Sequence, residues 1–551
     1  MFSEKTSIRY LAHNSPSSDC QMDELNKFHG NYILPLAAVV STTPPETDQA
    51  AKKEEERVPF IFNPDDLCLS KEHKVDVNDS SWIKTVRKKL NSVRPQPYPS
   101  SRPWTIFRVP ENIRIGDSKA YAPLVVSIGP YHFRHAQRGT HVAMQDHKWQ
   151  CVRHLLSRHR SRERATELLD RCLLELKALD CEVRSCYSRN LNFDQNKLAS
   201  IMLLDGCFII HILLKQLVNE NRMMVTVEER RREEGMEKQK EKEMREEEEE
   251  IVELDIGDEE ENIEGPLLGM LWIWNLILYD LLKVENQIPF FVIQTLFDFL
   301  KTGADEGIDL ANLALKLFHD IHPNKSKTFT AMPRNKIHHL LHLFHSTLTP
   351  SQPTLVLAEQ VNITTSPEWI PCATDLKFAG IKFKKNEAAQ SFLDVSFKDG
   401  VMEIPPLRIY DYTPSLFRNL IAFEQCYPDT RTYVTIYAAF MDSIIDSAND
   451  VKLLDLKGIL VNRLSTDEAV ADLFNKLCNQ IHYASDRNYL ADVFVKVKRY
   501  HESTWHIWRA GLIRDYFNNP WAGIAVVAAV VLFLLTIEQS IFAALSYFCP
   551  P

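Results

Sequence analysis

From Trp521 to Ile537 the chain reads WAGIAVVAAVVLFLLTI, seventeen residues without a charge, and apolar sequence resumes from Ser540 to Phe548. A bilayer core takes roughly 17 to 25 apolar residues in a helix, so this stretch is expected to cross a membrane. A soluble core helix of that length would keep a polar stripe, and none is visible. Trp521 at one end and Tyr547 and Phe548 beyond the other stand where aromatic rings settle among headgroups. Arg509 and Arg514 precede the span and no Lys or Arg follows it, which by the positive-inside rule puts the main domain in the cytosol. The expectation is a single-pass, tail-anchored protein from Trp521 to Ile537, with the plasma membrane favoured. Ala525 and Ala529 form a small-x-x-x-small pair that lets two such helices approach, so a homodimer is allowed. The nearest candidate for an N-terminal signal or signal anchor, YILPLAAVV at Tyr32 to Val40, starts late and contains Pro35.

The formal net charge of −10 is local. Between Glu228 and Glu264 stand 19 acidic and 7 basic residues, which leaves the rest of the chain at +2. No global field favours nucleic acid. Like charges at that density cannot bury a core, so residues 228–264 are expected to form a solvated helix or a disordered tether, or a docking strip for a basic partner. The 11 cysteines are odd in number and never spaced C-x-x-C, which argues for reduced thiols rather than a disulfide framework or zinc ribbon. Sequons begin at Asn78, Asn324 and Asn362, at about the rate chance supplies.

Three regions emerge along the chain. Residues 1–103 are polar and variable, expected to be largely disordered apart from a short amphipathic helix, SWIKTVRKKL at Ser81 to Leu90, before a proline-rich linker. Residues 104–518 read as one large, mainly α domain, and 519–551 as the anchor with a short tail. Helix period runs from Met144 to Tyr187, with Leu168, Leu169, Cys172, Leu173, Leu176, Leu179 and Val183 on one face. Asp194 is placed to cap a further helix through Leu217, and Leu267 to Leu282 reads as a core helix because Asn275 and Asp280 disfavour a second span. A β-hairpin patch is expected over 391–411, where FLDVSF and VMEIPPLRIY flank Asp399-Gly400, with Pro405 and Pro406 restricting the second strand to an edge. Helical period returns from Pro414 to Phe517.

Nucleotide and hydrolase signatures are missing: there is no G-x-x-x-x-G-K, G-x-G-x-x-G, G-x-S-x-G or H-E-x-x-H. No cofactor and no catalytic set is therefore expected. The nearest approach to chemistry is KIHHLLHLFH, where His338, His342 and His345 at i, i+4 and i+7 could meet a zinc ion, although interhelical packing also holds histidines. A second group, His132, His135, His141 and His147, surrounds an arginine-rich loop and could respond to pH.

Six runs in register give a further lead: IFRVPENIR at Ile106 to Arg114, VVSIGPYH at Val125 to His132, VENQIPFFVIQTLF at Val284 to Phe297, IPPLRIYDYTPSLFRNLIAFEQC at Ile404 to Cys426, LFNKLC at Leu473 to Cys478, and the span with its flanks from Tyr516 to Gln539. Together they resemble the plant family called domain of unknown function 247. Read by themselves, Gly129 and Pro130 mark a turn; Pro289 and Phe290 open a helix that Glu285 could cap; and Phe417, Leu420, Ile421 and Phe423 form an apolar face. Tyr131, His132, Asn286, Gln287, Arg418, Asn419, Glu424 and Gln425 complete the matching motifs. Gln145 stands where the family often has Glu, and the acidic insert is a further departure. The resemblance implies a mostly helical protein with a membrane helix and no established enzyme activity. Grass members of the family are associated with pollen-side self-incompatibility opposite small secreted stigma proteins. The leading expectation is therefore a membrane-tethered recognition or signalling protein whose partner is a small secreted protein or a co-receptor. A His-based metal enzyme and a passive membrane scaffold are the alternatives.

Overall fold

Among the described residues two helices are long and apolar enough to cross a membrane, and packing separates them. Most of Gln195–Asn219 is enclosed, whereas Ile524–Leu545, 22 residues, lies wholly exposed. The first belongs to helix Gln195–Glu243, the centre of the fold, against which Thr140–Ser157, Arg162–Ala178, Phe290–Leu300 and Leu310–Leu317 all pack. Its buried run from Leu198 to Leu213 shows why a core helix can be apolar all round: neighbours cover every face. The second belongs to helix Pro520–Phe548.

The computed structural model describes residues 81–92, 104–133, 140–159, 161–243, 271–324, 329, 331–352, 354–355, 369–482, 488–503 and 520–548. The Tyr32 to Val40 segment, the proline-rich linker and most of the acidic insert lie outside them. The chain divides into two units, Met1–Arg94 and Pro95–Pro551. In the first, the expected amphipathic helix is present at Ser81–Ser92. The second is mainly α with small sheets.

Several local expectations are refined. The stretch from Met144 to Tyr187 is three helices, Thr140–Ser157, Arg162–Ala178 and Asp180–Cys186, because Ser161 caps a new start by accepting from the Arg164 N–H. Leu168, Cys172, Leu176 and Val183 are buried, while Leu169, Leu173 and Leu179 are partly so. Asp194 does cap the next helix, accepting from the Lys197 N–H at 2.9 Å. That helix runs past Leu217 to Glu243, so the first part of the acidic insert is helical. Leu271–Leu281 is the expected core helix, burying Ile273, Ile277, Leu278 and Leu281.

The hairpin forms between β2 (Ser396–Lys398) and β3 (Val401–Ile404), and Asp399 and Gly400 take φ of 50° and 77° at its turn. Two consecutive positive φ values match the twist of the flanking strands, which is why Asp-Gly is favoured there. The edge assignment fails, however. β3 is the central strand of a three-stranded sheet, antiparallel to β2 and parallel to β1 (Lys382–Lys385), with Phe383 and Phe397 flanking Met402. Pro405 and Pro406, which lack a donor, end β3 rather than exposing it. Beyond them β4 (Leu407–Ile409) enters a second sheet, parallel to β5 (Leu460–Asn462). β5 also interrupts the helical period expected from Pro414 onward.

Candidate functional site

Residues 104–132 carry little regular structure, yet Ile106, Val109, Tyr121, Val126 and Ile128 are buried. Buried backbone N–H groups need partners, and here side chains from the end of helix Leu271–Leu281, the loop that follows it and helix Gln195–Glu243 supply them. Asp280, fully buried, accepts from the N–H groups of Leu124 (2.8 Å), Val125 (2.7 Å) and Val126 (2.9 Å) and pairs with Lys283 at 3.2 Å. Asn286 accepts from Ile128 N–H at 2.7 Å and donates to the carbonyls of Val126 and Asp280. Gln287 donates to the carbonyls of Leu281 and Lys283 and accepts from Leu341 N–H. Asp205, inside the apolar helix, accepts from Gly129 N–H at 2.7 Å and pairs with buried Lys148 at 2.5 Å. Asn419 accepts from Val284 N–H and donates to Ala120 O, tying the same loop to helix Thr413–Cys426.

Glu285 is the hub. It does not cap the following helix: Pro289 holds that N-terminus with no side-chain cap, and the Phe290 N–H donates to His338 O at 2.8 Å. Its buried carboxylate instead meets Arg108 at 2.6 Å, the Val109 N–H at 2.8 Å, His132 Nε2 at 3.3 Å, and Arg114. Burial alone would raise its pKa, but the His132 contact, Arg108, the Val109 N–H and Arg114 together hold it below the ordinary carboxylate range. Arg108 also donates to Tyr131 O and lies over the Tyr131 ring.

Gly129 sits at the hinge of this assembly with φ 74°, before the short 3₁₀ turn Pro130–His132. A Cβ there would fall 2.4 Å from Gln287 O. Gly129→Ala therefore combines backbone strain with a backbone clash and is expected to cost more than ~1 kcal/mol, read as a lower urea midpoint.

A second hub holds the other end of the motif. Glu424 accepts from His345 (2.8 Å) and from the Val434 (3.0 Å) and Thr435 (2.7 Å) N–H groups at the start of helix Tyr433–Ile444. Gln425 accepts from His482 N–H, Phe417 packs on Phe392 and Tyr437, and Arg418 lies 4.0 Å from Asp117.

The structure does not gather His338, His342 and His345 as the spacing suggests. Helix Leu340–His345 begins after His338, which therefore stands off the face assumed from the spacing. His338 Nε2 contacts Tyr427 Oη at 2.8 Å and its ring stacks on His342 at 4.4 Å, whereas His345 faces Glu424. His339 caps the helix and reaches Thr105 O. Among the described residues no group of three His, Cys, Asp or Glu is placed to hold a metal. His132 and His147 are engaged separately, the first with Glu285 and the second with Gln150; His135 and the side chain of His141 lie outside the described residues.

Burial, with neighbouring histidines, pushes His339 down to about 3, His342 to about 2 and His211 to about 3. These groups stay neutral when folded but take up protons below about 6.5 when unfolded. Stability is therefore full above that pH and falls as the pH drops, by roughly 1.4 kcal/mol per pH unit for each histidine. Urea midpoints between pH 6.5 and 5 should show the slope, and His342→Asn should flatten it.

Where the two sheets meet, a cleft of about 270 Å³ opens, lined by Asn324, Lys385, Pro405, Pro406, Arg408, Tyr410 and Tyr412 among others. Tyr279, Tyr412 and Tyr410 stack in sequence at 4.6 and 5.5 Å. Burial raises the Tyr412 hydroxyl, so it remains a donor. Aromatic faces and ring prolines beside a few polar groups suit binding by stacking and hydrogen bonds.

Sequence reasoning found Glu285, Asn286 and Gln287 but missed Asp205 and Lys148, which pair with each other and hold the backbone at Ser127 and Gly129. A lone acid inside IMLLDGCFII was the available signal, since such a group is buried only when paired.

No solved structure matches the chain. A UPF0481 protein of Arabidopsis thaliana is 29% identical over 462 residues, covering 80% of this chain and 86% of its own. A putative UPF0481 protein of the same plant is 23% identical over 519 residues, covering 85% and 95%. Residues 106–535, which hold both hubs, the cleft and most of the apolar span, match the profile of domain of unknown function 247, described as a plant protein of unknown function, and the chain belongs to that family.

Proposed function

We propose that this protein is a non-catalytic, membrane-tethered recognition protein, held by helix Pro520–Phe548 and making its partner contact through the cleft at Pro405 to Tyr412. The observation that carries the reading is the 22-residue apolar span Ile524–Leu545, which nothing in the fold covers. A stretch this apolar is costly in water and favourable in a bilayer. Arg509 and Arg514 before the span put the main domain on the cytosolic side, with the plasma membrane favoured. Ala525 and Ala529, one turn apart on the exposed helix, support a homodimer. The narrower form, a pollen-side self-incompatibility determinant facing a small secreted protein or its co-receptor, rests on the family alone. Expression confined to leaf or root would remove it. The metal-enzyme alternative draws no support from the placement of His338, His342 and His345.

Proximity labelling from native tissue with the full chain and with an Arg408→Glu, Tyr410→Ala variant tests the contact. The variant is expected to lose its specific neighbours by tenfold or more while keeping abundant membrane proteins. An unchanged set of neighbours would move the contact elsewhere. Capture of nothing but abundant membrane components by the unaltered chain would favour a passive scaffold.

A further inference from the structure

We infer that helix Ser81–Ser92 is a second membrane contact, lying flat on an anionic lipid surface. Its sequence, SWIKTVRKKLNS, holds Lys84, Arg87, Lys88 and Lys89 and no acidic residue. Trp82, Val86 and Leu90 recur every fourth position and are 66%, 54% and 52% exposed. At 3.6 residues per turn these three and Ile83 fall within an arc of roughly 100°, while Lys84 and Lys88 stand opposite and Arg87 and Lys89 border the stripe on its two sides, where long side chains reach up to headgroups. An apolar stripe left open to solvent beside a cationic face is the pattern of a helix that buries one side among acyl chains and sets the other among headgroups. Trp82 suits that boundary because its ring is amphipathic.

Charge decides the occupant. A purely apolar partner would make no use of the charge on Lys84, Arg87 and Lys88, whereas each Lys or Arg near an anionic leaflet strengthens binding by about fivefold. The inference rests on the anchor reading, since the span Ile524–Leu545 is what brings a bilayer within reach of the helix. With one insertion point already fixed, a weak interfacial helix gains from the high local concentration of lipid. It would then hold the chain to the membrane at two points, separated in sequence by the whole family domain.

The test uses the full chain in nanodiscs of zwitterionic phosphatidylcholine, or of phosphatidylcholine with phosphatidylserine, and reads hydrogen exchange of the amides at 81–92. Exchange is expected to slow roughly tenfold or more in the anionic discs only, and to recover at 0.5 M salt, where the screening length shrinks to about 4 Å. A Lys84→Gln, Arg87→Gln, Lys88→Gln variant should lose the protection. Gln has nearly the helix propensity of Lys and Arg, so the helix itself persists, and Lys84→Arg with Lys88→Arg should keep the protection. Equal protection in both kinds of disc overturns the inference, and its loss on deleting residues 228–264 would name the acidic insert as the occupant. No protection in either overturns it too. A chain that does not co-purify with discs of either kind sinks the anchor reading and this inference together, whereas incorporation without protection sinks this inference alone.

Discussion

Replacing Glu285 by alanine is expected to destabilise the family domain by roughly 3–5 kcal/mol, the range found when one member of a buried ionic group is removed. The cost arises because Arg108 and Arg114 would lose the carboxylate that neutralises them and His132 would lose its neighbour. Arg108 and Arg114 are 29% and 18% exposed, so water answers part of their charge and the lower half of that range is the better expectation. Glu285→Gln should cost less, because its amide oxygen can still accept from the Val109 N–H. The reading is sharpened by a compensating set: Leu at 108, 114 and 285 together should recover much of the loss, since an apolar cluster of similar volume is often as stable as the ion pairs it replaces. Urea unfolding of the detergent-solubilised chain, followed by circular dichroism, gives all three values. Single Glu285→Ala stability within 1 kcal/mol of the parent would show that the hub is decorative.

The second large effect concerns the apolar span. Deleting Pro520 onward is expected to move the protein from carbonate-washed membranes to the soluble fraction. Helix Gln195–Asn219, the one other described segment that is long and apolar enough, is mostly enclosed by the fold. Its polar members are also committed: Asp205 is bound to Lys148 and Gly129. Retention of the truncated chain on washed membranes would mean that this helix, or a segment outside the described residues such as Tyr32 to Val40, inserts. A milder result, release by salt alone, would point to the helix Ser81–Ser92.

Local signals proved the more legible part of the sequence. The apolar span, the Asp-Gly turn, the Asp194 cap and the amphipathic helix are each written in a few adjacent residues, and each stands in the structure where its chemistry put it. What the chain hides is which distant groups meet. Nothing near Glu285 says that its partners lie at Arg108, Arg114 and His132, so a carboxylate four residues before Pro289 reads as a cap. The same blindness leaves a zinc site open beside a packing role for His338, His342 and His345, because period alone cannot show that the helix starts at Leu340. Pro405 and Pro406 were read as marks of an edge, when they divide β3 from β4 between two sheets; a parallel partner supplied by β1 is invisible to local pattern. The cleft follows from that division and was illegible for the same reason.

The bonds that seat residues 106–132 also set a timetable for the ribosome. Arg108 waits for a carboxylate 177 positions later, and the Ala120 carbonyl waits for Asn419, 299 positions later. At a synthesis rate of about 5–20 residues per second, the first delay alone is roughly 9 to 35 s. For most of it the N–H groups of Val126 and Ile128, buried in the finished fold, lack the Asp280 and Asn286 oxygens that accept from them. Nascent chains of this protein should therefore be held by cellular chaperones over that interval, and let go once the loop from Asp280 to Gln287 has left the exit tunnel.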